Sequence, residues 1–243
     1  MATGRSTFNI KTAQLDFRKR IPLYVLYQCL QESAENNAVE LGFDTETLLR
    51  QNLTWMLVRM SLLVRQLPVG RQPIVVETWP SGVESRMAFR EFRVFTGHGT
   101  EPFLVASSTW FMVNIEKQRP VNVQGHFPPG LLTLRERVIQ SPIPTLEKPH
   151  EVTFRKEIPI RLADVDLNGH VNNTHYIEWL TEAVPETIWR EREIHELHVE
   201  YKRQARYGDS VLIETGETSD GFLHSMTASG SGTELFRAAT RWV

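Results

Sequence analysis

With 243 residues the chain can form one large domain or two of ordinary size, each able to bury a core. A formal net charge of −2 excludes a strong long-range pull toward nucleic acid or anionic membrane, and a single cysteine, Cys29, excludes an internal disulfide framework. No apolar run reaches membrane-spanning length, and the opening Met-Ala-Thr-Gly-Arg-Ser-Thr carries no hydrophobic signal stretch.

Phe8 to Phe17 alternates loosely and predicts a first strand. Leu23 to Leu41 predicts a long helix, because Leu23, Leu26, Tyr27, Leu30, Ala34, Ala38 and Leu41 fall on one stripe. Pro22 suits its first turn and Gly42 its C-terminal cap. Cys29 lies inside this helix and reads as a packing residue. Phe43 to Gln51 predicts a short helix or loop. Thr54 to Gln66 predicts a strand whose apolar set, Met56, Val58, Met60, Leu62 and Val64, faces a core. Pro73 to Trp79 is a further strand, ended by Pro80-Ser-Gly82. Arg86 to Phe95 and Phe103 to Ile115 follow, joined by a turn at Gly97-His-Gly99. One helix with an antiparallel sheet makes residues 1–117 an α+β domain.

Residues 118–149 differ in character. Pro120, Pro128, Pro129, Pro142, Pro144 and Pro149 predict a connector that packs on a domain, with at most a short helix near Leu131–Val138. Residues 150–243 then repeat the first domain. Tyr27–Ala34 aligns with Ile177–Val184, Val75–Thr78 with Leu212–Thr215, and Phe103–Trp110 with Leu235–Trp242, at offsets of 150, 137 and 132 residues. Three weak matches in the same order indicate a duplicated unit.

The copies differ just before their helices. The first has Leu15-Asp-Phe-Arg-Lys-Arg-Ile-Pro22. The second has Arg161-Leu-Ala-Asp-Val-Asp-Leu-Asn-Gly-His-Val-Asn-Asn-Thr-His175, leading into a helical stripe of Tyr176, Ile177, Leu180, Ala183 and Val184 that stops at Pro185. Asn172, Asn173 or Thr174 can cap that helix. Asp and Asn with Gly also make ordinary turns, but the Asp-x-Asn-x-His spacing adds an imidazole that titrates near neutral pH. A helix N-terminus beside it offers backbone N–H groups to a developing oxyanion.

The run Asp164-Val-Asp-Leu-Asn-Gly-His-Val-Asn-Asn-x-x-Tyr-Ile-x-Trp-Leu-x-Glu-Ala-Val-Pro185 resembles the signature of the fatty acyl-ACP thioesterases of plant plastids and bacteria. Trp55-x-Leu-x-Arg59 and Arg86-x-x-x-Arg90-x-Phe92 are similar to less specific parts of the same family. The resemblance implies a tandem hot-dog fold, each repeat an antiparallel sheet wrapped around a long central helix. It implies an N-terminal domain that selects the acyl chain and a C-terminal domain that carries catalysis. It places the family's catalytic aspartate, asparagine and histidine on Asp166, Asn168 and His170. A fourth family position, in the pattern Glu-Tyr-Arg-Arg-Glu-Cys on the strand after the helix, falls on Gln204 within Glu200-Tyr-Lys-Arg-Gln-Ala205. Glutamine orients water but cannot take its proton, so base duty passes to His170 or Asp166, with Glu200 as a weaker candidate. Asp166 then fixes geometry or shares that duty, and Asn168 or a backbone N–H at the helix start serves the oxyanion. Ala205 rules out a cysteine nucleophile at that place.

The remaining candidates read as structural. Asp164 shapes the loop, Arg161 pairs with Asp164 or Glu182, His175 and Tyr176 pack, and His195 and His198 make no metal site. No cofactor is expected, since the substrate brings its own 4′-phosphopantetheine arm. The expected partner is acyl carrier protein, without nucleic acid or membrane, and with a homodimer possible. Arg18-Lys-Arg20, Arg190, Arg192, Lys202, Arg203 and Arg206 are candidates for its docking, and Trp55, Met56, Met60 and Met87 for the acyl tunnel. The lack of a transit segment fits a bacterial cytoplasmic protein or a trimmed chain. The expected reaction is hydrolysis of fatty acyl-ACP. Alternatives are an acyl-CoA thioesterase and a catalytically weak acyl-thioester-binding protein; a hot-dog dehydratase finds no matching pattern.

Overall fold

A computed structural model describes residues 3–127, 136–140, 144–167 and 169–243. The chain divides into two compact units, residues 1–21 with 28–142 and residues 22–27 with 143–243.

The first unit holds β1 (Gly4–Asn9), α1 (Leu23–Leu41) from Gln28 onward, α2 (Thr45–Leu49), β2 (Leu53–Val64), β3 (Pro73–Glu84), β4 (Met87–Thr96), β5 (Leu104–Asn114) and the two-residue β6 (Arg119–Pro120). The sheet order is β1-β3-β4-β5-β2, all antiparallel, with β6 on β5. The helix α1 has the predicted bounds: its stripe is buried apart from the half-buried Leu41, and Gly42 takes the left-handed φ of +74° that ends it. Arg90 of β4 donates to Asn37 Oδ1 of α1 at 2.9 Å and ties helix to sheet.

Three strand expectations are corrected. The first strand is Gly4–Asn9 rather than Phe8–Phe17. Past Asn9 the chain turns instead, because Asp16 Oδ1 accepts the N–H groups of both Arg18 and Arg20 at 2.8 Å. In β2 a bulge between Leu57 and Arg59 changes which parity faces inward. Leu53 and Leu57 are buried before it and Met60, Leu62 and Val64 after it, while Met56 and Val58 stay half-buried. Finally, β3 does not stop at Pro80-Ser-Gly82 but runs to Glu84 through a bulge between Pro80 and Gly82. Pro80 is tolerated because β1 pairs only with Pro73–Thr78, leaving no second neighbour there.

The helix expected near Leu131–Val138 falls largely outside the described residues. The described part of the connector packs down. Val138 N–H donates to the buried Glu91 carboxylate at 3.1 Å, and Trp79 Nε1 donates to Glu136 O at 3.1 Å. Ser81 and Ser107 hydroxyls also donate to Glu91, so this buried carboxylate is held by three donors.

In the second unit, β7 (Phe154–Pro159) precedes α3 (Asn173–Thr181), α4 (Glu186–Glu191), β8 (Ile194–Tyr201), β9 (Ser210–Glu217), β10 (Gly221–Ala228) and β11 (Glu234–Trp242). Its order is β7-β9-β10-β11-β8. Counted from the start of each copy, both sheets run first, third, fourth, fifth, second, so the duplication visible in three short matches extends to the whole topology. The second helix is the shorter. It ends at Thr181 with Glu182 as cap, and Pro185 caps α4. Tyr176 of α3 stacks on Phe236 of β11 and meets Tyr201 of β8 edge-on, with ring centroids 5.4 and 5.7 Å apart.

Candidate active site

The site is built on the loop between β7 and α3. A 3-10 turn, Leu162–Asp164, opens it. Asp164 is fully buried, accepts Arg161 N–H at 2.7 Å and pairs with the Arg161 guanidinium at 2.6 Å. That pairing holds the Asp164 carboxyl below its usual range against the opposing effect of burial. Glu182, the other partner considered for Arg161, pairs with Lys156. The chain then closes on itself. Asp166 N–H donates to His170 O at 2.8 Å, Gly169 N–H to Asp166 O at 3.0 Å, and His170 N–H to Asp166 Oδ1 at 3.3 Å. Gly169 sits at φ +75°, a conformation that glycine enters freely. Asp166 and His170 are thus brought together. Asn168 lies outside the described residues.

The loop is anchored from a distance. Val171 N–H donates to Ala205 O at 3.0 Å, and Ala205 N–H donates to the Tyr176 hydroxyl at 3.3 Å. Gln204 and Arg206 flank Ala205; both are exposed where Ala205 is buried. Since β8 ends at Tyr201, Gln204 lies in the loop beyond the strand, and the strand parity linking it to Glu200 does not apply. Glu200 pairs with Lys202 at 3.2 Å.

The expectation of a free backbone N–H at the helix start is not met by the amides whose bonds can be traced. Those of Gly169, His170 and Val171 are used as described. Asn172 N–H donates to Asp164 O at 2.9 Å, Thr174 N–H to the capping Asn172 Oδ1 at 3.0 Å, and His175 N–H to Asn172 O at 3.0 Å. These six amides are therefore engaged by the loop and by the cap of α3.

His170 is half-buried. Burial first, and the Arg206 guanidinium second, push its imidazole below the ordinary histidine range, with Asp166 opposing. Nδ1 is buried with no hydrogen-bond partner among the described residues. The sequence marks Arg206 only as a docking candidate. Its nearness to His170 comes from the Val171–Ala205 pairing, a long-range contact without a local sequence signal.

Residues 2–128 match the family description "Acyl-ACP thioesterase N-terminal domain", and residues 147–243 match "Acyl-ACP thioesterase C-terminal domain". The chain belongs to the acyl-ACP thioesterase family. It is 27% identical to an oleoyl-acyl carrier protein thioesterase of Arabidopsis thaliana, over 98% of this chain and 75% of that protein. It is also 27% identical to a palmitoyl-acyl carrier protein thioesterase of Gossypium hirsutum, over 97% of this chain and 62% of that protein. An acyl-ACP thioesterase from Bacteroides thetaiotaomicron shares the fold at a TM-score of 0.89 and 23% identity, covering 100% of this chain and 98% of that one. The 12:0-ACP thioesterase from Umbellularia californica does so at 0.86 and 21%, with coverage of 100% and 98%. The fold is the tandem hot-dog.

Within this thioesterase-family chain, other candidates sort by burial. Arg20 is 4% exposed and ion-paired with Asp16, so it cannot present a docking charge. Arg190 pairs with Glu186, while Arg203 and Arg206 are exposed. Met60 is packed shut, Met56 and Met87 are half-buried, and the half-buried Trp55 packs on Leu48, Leu53, Met112 and Val123 while donating to Phe43 O at 2.8 Å. Cys29 is buried and its thiol is pushed up to about 12, so it supplies no thiolate near neutral pH. Among the described residues no cluster of His, Cys, Asp and Glu could hold a metal, and no helix is long and apolar enough to cross a membrane.

Proposed function

We propose that this chain hydrolyses the thioester of fatty acyl-ACP, with His170 as the general base. The observation that carries the reading is a half-buried imidazole, kept neutral by burial and by Arg206, on a loop closed by Asp166. A neutral imidazole takes a proton from water as the water oxygen attacks the thioester carbonyl carbon. The carbonyl oxygen becomes an oxyanion, for which the Asn168 side-chain amide is the assigned donor now that the neighbouring backbone amides are engaged. Collapse of the intermediate breaks the C–S bond. The imidazolium returns its proton to the departing thiolate, giving fatty acid and the carrier's free thiol. Gln204, one residue from the Ala205 carbonyl that anchors the loop, orients the water. The N-terminal unit, by this reading, holds the acyl chain, and acyl carrier protein delivers it.

The test is thiol release from a panel of acyl-ACPs of varied chain length, with the matching acyl-CoAs alongside, for wild type and His170→Ala. Loss of a general base costs about a hundred- to ten-thousand-fold. Equal rates in the two proteins would remove His170 from the chemistry. Faster turnover of acyl-CoA at equal chain length would replace the carrier-protein substrate.

A further inference from the structure

The loop before α1 shares a set of hydrogen bonds with the loop before α3, at a constant offset of 150 residues. In the first copy Asp16 N–H donates to Arg20 O at 2.9 Å, Lys19 N–H to Asp16 O at 2.9 Å, and Arg20 N–H to Asp16 Oδ1 at 2.8 Å. These are the three bonds among Asp166, Gly169 and His170. Lys19 takes φ +59° where Gly169 takes +75°. Both loops open on a 3-10 turn, Thr12–Gln14 and Leu162–Asp164. In each, the last residue's side chain accepts the N–H of the residue before the turn, at 2.9 Å from Lys11 to Gln14 and 2.7 Å from Arg161 to Asp164. Even the distant anchor recurs, as Ile21 N–H donates to Pro68 O at 3.1 Å where Val171 donates to Ala205.

What changes between the copies is the chemistry. Arg18 stands where the second copy has Asn168, Arg20 where it has His170, and Leu67 where it has Gln204. A guanidinium has no acceptor, so Arg20 cannot take a proton where His170 can. Among the polar residues of the two loops only the aspartate is common to both, making the same bond to the backbone N–H four residues on.

From this we infer that Asp166 is a positioning residue whose carboxylate closes the loop and orients His170, and that it takes no proton from water. The inference rests on the thioesterase reading above, and it settles between the two roles open to Asp166. A carboxylate retained where the counterparts of Asn168, His170 and Gln204 are all replaced serves the loop's shape. The charged groups acting on His170 are Asp166 from its own loop and Arg206 from the loop after β8. Tyr176 of α3, whose hydroxyl accepts the Ala205 N–H, and Tyr201 of β8, whose hydroxyl donates to Asn173 O, stay neutral because burial raises both.

Asparagine separates the roles, since its Oδ1 can accept the same N–H but has no basicity. Asp166→Asn is expected to keep kcat/KM within about tenfold of wild type, while Asp166→Ala loses about a hundredfold or more, the low end of the range for a catalytic group. Asp166→Asn should also shift the acid limb of the kcat/KM profile to lower pH, because the anion that raises the His170 pKa is gone. A merely structural residue would leave that limb in place. Thermal melts check that each variant is folded. A folded Asp166→Asn protein as inactive as Asp166→Ala would overturn the inference, and so would an acid limb that does not move. His170→Gln with wild-type turnover would instead refute the thioesterase mechanism itself, so the two failures are distinguishable.

Discussion

His224 should set the acid stability of the second unit. It lies in β10, fully buried, with Nδ1 2.9 Å from Thr215 Oγ1 on β9 and Nε2 3.1 Å from Thr240 Oγ1 on β11. Trp242 Nε1 donates to the same Thr240 oxygen at 3.0 Å. A neutral imidazole meets its hydrogen-bonding needs between two hydroxyls. A charged one would sit in the sheet with no carboxylate to offset it, and burial accordingly pushes its pKa down to about 3. The folded value lies below the unfolded value of about 6.5. The unfolded chain therefore binds the extra proton first, and stability falls as pH drops below about 6.5. Well below 6.5 each unit of pH costs about 1.4 kcal/mol, so moving from pH 8 to 4.5 removes roughly 3 kcal/mol. For a chain of this size, with about 2 °C of Tm per kcal/mol, that is about 6 °C.

The assay is a set of thermal melts between pH 8 and 4.5 on wild type and His224→Gln, whose amide can bond both threonines but does not titrate. The variant starts lower at pH 8, and its Tm then falls less steeply across this window. The other histidines with lowered pKa, His170 and His198, act equally in both proteins and cancel in the difference. The depressed carboxyls of Asp164, Glu196 and Glu234 lose their contribution as pH falls through the unfolded carboxyl range, from about pH 5, and this loss is likewise common to both proteins. Parallel curves would refute the claim that His224 is held neutral in the fold. The outcome also matters for catalysis. The acid limb assigned to His170 lies in the same range, and His224→Gln allows it to be read with less loss of folded protein.

Gln204→Glu places a carboxylate beside the loop that carries His170. It should raise kcat at pH 8 by adding a proton acceptor and move the acid limb upward by opposing Arg206; an unmoved limb would place residue 204 too far from the imidazole to act on it. The bulge in β2 predicts that Leu57→Ala costs about 2–5 kcal/mol, as expected for a buried leucine, and Met56→Ala clearly less. The opposite order in denaturant melts would restore the uninterrupted alternation suggested by the sequence.

The long helix was legible because every signal for it is local: a stripe at helical spacing, Pro22 before it and Gly42 after it. β1 was misplaced because Gly4–Asn9 has almost no apolar alternation. It is an edge strand, formed by backbone pairing with Pro73–Thr78 far along the chain. The bulge at Val58 was hidden because Met56, Leu57 and Val58 are apolar in a row, so either register reads as a plausible strand. At the site, the same division separates chemistry from environment. Asp166 and His170 are four residues apart, and the glycine between them allows the reversal that brings them into contact, so their meeting could be read directly. The occupied amides at the helix start could not, since Asp164 O and Ala205 O reach them only in the folded loop. Nor could the field of Arg206, which is 36 residues from His170 in sequence and is brought near by the Val171–Ala205 pairing. Residue type told which groups could react, whereas the protonation state that makes one of them a base depends on burial and on that distant cation.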